Sequence, residues 1–84
     1  MSRDDALPAD RLSRQPVDML AQLQPDQRAL LDHLAAGRTI AAAAAAEFMS
    51  LRTANRRVAA VRTLFGVTST SEAVRAYLLL RRSG

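Results

Sequence analysis

The chain has 84 residues, one histidine, no cysteine and no tryptophan, and a net charge of +4. A chain of that length folds around one modest core. It holds no disulfide framework, thiolate metal site or thiol nucleophile, and its scattered acids offer little material for catalysis. The charge is unevenly laid out: residues 1–36 carry four Arg and six Asp (−2), and residues 37–84 carry eight Arg and two Glu (+6). A basic half of this kind is the electrostatic footprint of a polyanion binder. All twelve basic residues are Arg, the side chain suited to bidentate contact with guanine and phosphate. No apolar run approaches the roughly 18 residues of a membrane span, and no signal-peptide pattern opens the chain. The expectation is a cytoplasmic, nucleoid-associated protein with no membrane partner.

In chain order, residues 1–15 are polar and read as a flexible N-terminal arm, with one domain over residues 16–84. Val17, Leu20 and Leu23 stand at helical spacing and predict a short extra helix over 16–23. Pro25 suits the first position of the next helix, with Asp26 near the positive end of its dipole. Leu30, Leu31 and Leu34 form its buried stripe, and Gly37 closes it. Thr39 caps a third segment, 40–48, whose six consecutive alanines are strong helix formers that let a neighbour approach closely. Met49-Ser50 then makes a sharp turn. A helix runs over 50–65 from the Ser50 cap to a stop at Gly66. The run Thr68-Ser69-Thr70-Ser71, followed by Glu72, offers caps for a last helix reaching about Arg82. On that helix Ala73, Val74, Tyr77 and Leu80 share one side. No strand-like alternation appears, so the fold class is all-α.

Segment 50–65 has two faces of opposite chemistry. At about 100° per residue, Ala54, Val58, Val61 and Phe65 share one side, with Leu51 and Leu64 at its margins. The other side carries Arg52, Arg56, Ala59 and Thr63, flanked by Asn55, Ala60 and Arg62. A helix seated by a small apolar stripe, showing Arg, Asn and short Ala outward, suits a DNA major groove about 12 Å wide.

The order of marks from Leu23 to Tyr77 resembles the LuxR-type (GerE-type) helix-turn-helix domain of bacterial transcription regulators. The matching residues are Leu23, Pro25, Leu30-Leu31, Leu34-Ala35-Ala36-Gly37, Ala44, Ser50, Thr53, Val61, Phe65, Gly66-Val67 and Ser71-Glu72-Ala73-Val74. The resemblance implies four helices, the third in the major groove and the fourth at a dimer contact. Carried over by position, base contacts fall on Asn55, Arg56 and Ala59. Contacts to the DNA backbone fall near Ser50, Arg52, Thr53 and Arg57, and Arg62 joins the phosphate grip. The chain departs from the family at several positions. Gln24 stands where a Thr or Ser usually caps, Ala42-Ala43-Ala44 replaces a Glu-Ile-Ala signature, and Glu47 replaces a core Leu. These changes predict a thinner core. The receiver or ligand-binding domain common in such regulators has no counterpart in these residues, which suggests a stand-alone regulator.

The terminal helix carries Val74, Tyr77, Leu78 and Leu79 as an expected homodimer interface, because the cluster is apolar nearly all round. An alternative reading makes the chain a co-regulator that binds RNA polymerase or another regulator instead of reading DNA. His33 is expected at a partly exposed position with no metal role, and Glu47 at the surface or a helix end. Asp4-Asp5 are expected to belong to a solvated tail. No constellation supports an enzyme, and no cofactor or metal is implied. The main expectation is therefore a DNA-binding transcriptional regulator whose partner is double-stranded DNA.

Overall fold

The computed structural model describes residues 16–83. The expected arm at 1–15, including Asp4-Asp5, lies outside the described residues. The helices are α1 (Pro16–Ala21), α2 (Pro25–Ala35), α3 (Ile40–Ala46), α4 (Leu51–Phe65) and α5 (Thr70–Ser83). There is no strand among the described residues, so the all-α expectation stands. No helix there is long and apolar enough to cross a membrane.

Two apolar clusters hold the helices together, and α2 and α4 contribute to both. Leu31 joins Leu20, Leu23, Val61, Ala73 and Tyr77 in the first cluster. Its neighbour Leu30 joins Ala43, Ala44, Ala54 and Val58 in the second. Adjacent leucines thus point into different clusters, about 100° apart on the helix. On α4 the first half of the stripe (Ala54, Val58) seats on α3, and Val61 joins the cluster that α5 closes. Alanine pairs let α3 and α4 approach closely, since Ala43 and Ala54 are both fully buried. The largest sealed side chains are Tyr77, Leu30, Leu31, Val58 and Val61. Each apolar one contributes about 1.5–3 kcal/mol by leaving water.

Three helices end in the same way. At the end of α2, Gly37 N–H donates to Leu34 O at 3.0 Å and Arg38 N–H to His33 O at 3.1 Å. At the end of α4, Gly66 N–H donates to Thr63 O at 3.2 Å and Val67 N–H to Arg62 O at 3.0 Å. At the end of α3, Phe48 N–H donates to Ala45 O at 3.1 Å and Met49 N–H to Ala44 O at 3.0 Å. Each is a Schellman closure, which needs a left-handed residue at its centre. Gly37 (φ 91°) and Gly66 (φ 71°) supply it freely, whereas α3 uses Phe48 at φ 56°.

That last stop corrects the sequence expectation of a helix over 40–48. The helix ends at Ala46 because the reversal at Phe48 brings Met49 against the Leu30 cluster. It also sets Ser50 to cap α4, where Ser50 Oγ accepts from Thr53 N–H at 3.0 Å. The same logic starts the other elements. Thr39 Oγ1 accepts from Ala42 N–H at 3.0 Å, and Gln27 Oε1 accepts from Gln24 N–H at 2.8 Å. At α5, Ser69 Oγ accepts from Glu72 N–H while Glu72 Oε1 accepts from Thr68 and Ser69 N–H, a full capping box.

Candidate nucleic-acid interface

Because Ala54, Val58 and Val61 are buried at 0–1% exposure, the opposite side of α4 must face outward. Leu51, Arg52, Asn55, Arg56, Ala59 and Arg62 line one shallow, open groove there. Arg52, Asn55 and Arg56 are exposed, and Ala59 and Arg62 are half-buried. Among the described residues, no hydrogen bond or ion pair engages Arg52 or Arg56. Their guanidinium groups therefore remain available to an anionic ligand.

The remaining expected contacts are already partnered within the chain. Arg57 Nε donates to Asp26 Oδ2 at 2.7 Å, which ties α4 to the first turn of α2. Arg62 Nη1 donates to Thr70 Oγ1 at 3.2 Å, which ties the last turns of α4 to the start of α5. Ser50 and Thr53 bond each other, with Ser50 Oγ donating to Thr53 Oγ1 at 3.0 Å. The eight expected DNA-contact residues thus divide. Asn55, Arg52, Arg56 and Ala59 share the groove with Arg62, while Arg57, Ser50 and Thr53 hold the helix in place. Leu51 is a groove residue that wheel geometry left at the margin of the buried face. It is 47% exposed, and only its position at the first helical residue hints at this.

On α5 the four residues expected at a dimer contact also divide. Tyr77 is 2% exposed and packs inside its own chain, where its hydroxyl donates to Asp32 Oδ1. Tyr77 therefore cannot offer a face to a partner. Val74 is half-buried against the same cluster. Leu78 and Leu79 stay exposed, at 42% and 55%. Leu20 and Leu23 pack in the same cluster as Tyr77.

The Asp32–Tyr77 contact is reinforced by Arg81, whose Nη1 lies 3.5 Å from Asp32 Oδ1 and whose guanidinium sits 5.5 Å from the Tyr77 ring centroid. Burial, and then the bond to Asp32, push the Tyr77 hydroxyl from 10.0 up to about 12. At the other end of α5, backbone and hydroxyl donors of Thr68 and Ser69 hold the Glu72 carboxyl below its ordinary value.

His33 bridges α2 and the end of α3. Arg38 can only donate, so its contact at 3.1 Å makes His33 Nδ1 the acceptor, and Nε2–H donates to Glu47 Oε2 at 2.8 Å. The pair is a half-buried polar clasp between α2 and the end of α3. Among the described residues no cluster of acids and His is arranged to hold a metal. No family model, curated protein or solved structure matches the chain significantly.

Proposed function

We propose that this chain is a DNA-binding transcriptional regulator of the LuxR (GerE) type, which inserts α4 into the major groove of a promoter. The observation that carries the reading is the groove on α4. Arg52, Asn55 and Arg56 are exposed on the face directly opposite a fully buried stripe. That arrangement fixes the helix by one side and leaves the other for base edges and phosphates. Arg56 and Asn55 would read base edges, each good bidentate pair contributing about 1–3 kcal/mol of discrimination. Arg52 and Arg62 would supply the salt-dependent hold on phosphates. A homodimer through Leu78 and Leu79 would present two copies of α4 to half-sites about 34–36 Å apart. A mobility shift at graded salt tests the reading. Arg56→Ala is expected to weaken binding and loosen sequence choice, and unchanged binding would remove Arg56 from the interface.

The exposed leucines of α5 also favour a second reading, a co-regulator that docks on RNA polymerase or another regulator. In that case bare DNA is not bound, and Leu78→Asp abolishes the protein complex.

A further inference from the structure

The groove on α4 is not uniformly polar. Leu51, Asn55 and Ala59 stand four residues apart, so they form a continuous stripe along one edge of the outward face. Arg52 and Arg56 form a parallel stripe beside it. The first stripe reads apolar, amide, apolar, and all five of these residues line the same groove. Leu51 belongs to neither apolar cluster and is 47% exposed, so it has no structural reason to be aliphatic. Ala59 is half-buried at the other end of the stripe and lines the groove with Asn55, Arg56 and Arg62.

Major-groove chemistry gives these side chains a common ligand. The thymine C5-methyl is the one apolar group on a base edge in that groove, and alanine and other apolar side chains pack against it. Asn forms its bidentate pair with adenine N6 and N7. Resting on the DNA reading above, we propose that the Leu51–Asn55–Ala59 stripe reads A·T pairs. Asn55 bonds an adenine, and Leu51 and Ala59 pack on thymine methyl groups to either side. The arginine stripe takes guanine or phosphate. Leu51 is thus a specificity-determining residue, and the preferred half-site is a thymine-flanked adenine next to a guanine or a phosphate contact.

The test uses the full chain and duplexes selected by it from a random-sequence pool. Each thymine of the selected site is then replaced singly by deoxyuridine, which removes only the C5-methyl. The wild-type chain is expected to lose about fourfold in affinity at one or more thymines, the weight of one buried methyl-sized group. Leu51→Gly is expected to bind the thymine and deoxyuridine forms of the Leu51-facing site equally, and Ala59→Gly does the same at the other end. Leu51 is outside both clusters, so unchanged helical circular dichroism is expected for its variant. Deoxyuridine neutral at every position, or a penalty that persists in both variants, overturns the stripe while leaving DNA binding intact. A pool with no enrichment overturns the DNA reading itself, and this inference with it.

Discussion

Arg57 Nε sits 2.7 Å from Asp26 Oδ2, joining the outward-bearing helix α4 to the first turn of α2 across 31 residues of sequence. Both partners are well exposed, with side chains 45% and 36% accessible. Such a pair contributes about 0.2–1 kcal/mol after solvent screening, so its larger effect is to occupy Arg57.

The functional consequence is a contrast between two arginines. Arg52→Ala is expected to flatten the dependence of log K on log salt by about 0.9, the value of one phosphate contact. Arg57→Ala leaves that slope nearly unchanged. Salt titrations of the two variants on one duplex check this, and equal slopes for both would show that Arg57 leaves Asp26 to grip phosphate.

Phe48 is the single non-glycine residue with positive φ among the described residues, and it is 97% exposed. The left-handed conformation costs an L-residue roughly 1–2 kcal/mol, and no packing offsets it. Phe48→Gly, matching Gly37 and Gly66 in the other two stops, should therefore stabilise the fold by about 1 kcal/mol. For a domain of this size that is a rise of about 4–8 °C in Tm, measurable by thermal circular dichroism.

Tyr77 contributes to the alkaline limb of stability. Tyr77 is the one tyrosine of the chain, which has no cysteine and no lysine. The folded state holds the Tyr77 proton up to about pH 12, whereas the unfolded chain releases it near 10.0. Stability is thus fully present below pH 10 and is lost as the pH rises through 12. Tyr77→Phe should flatten that decline, and tyrosinate absorbance should appear in step with unfolding.

The acid limb has the opposite sign at Glu72. Its carboxyl is held below the ordinary 4.5 by the donors of Thr68 and Ser69. Its contribution is present above pH 4.5 and disappears as the pH falls through the lowered value. Glu72→Gln should reduce the steepness of acid unfolding, followed by the loss of helical signal. Ser69→Ala should cost about 1 kcal/mol through the lost cap.

Local signals in the sequence were enough to place most of the helices and one face of α4. Thr39 and Ser50 announce helix starts by residue type, the run from Thr68 to Ser71 announces the start of α5 without singling out Ser69, and the spacing of Ala54, Val58 and Val61 determines which side of α4 is buried. The boundary at Ala46 was not legible, because a left-handed Phe carries none of the signal that glycine gives. Leu51 was ambiguous because the first helical residue lies at the edge between faces. The Asp26–Arg57 and His33–Glu47 pairs depend on which helices pack side by side, and helical periodicity does not encode that. Tyr77 lay on the inward side with Ala73 on the wheel, yet its apolar neighbours Leu78 and Leu79 drew it into the expected interface. The structure separates them by burial.

On the proposed reading, the outward side of α4 is the surface that meets DNA. Backbone amide shift mapping by NMR, on titration with a selected duplex, tests it most directly. The largest changes are expected at Arg52, Asn55, Arg56 and Ala59, with Leu30 and Leu31 in the core unmoved. Shifts confined to Leu78, Leu79 and their neighbours on α5, with α4 silent, would contradict it.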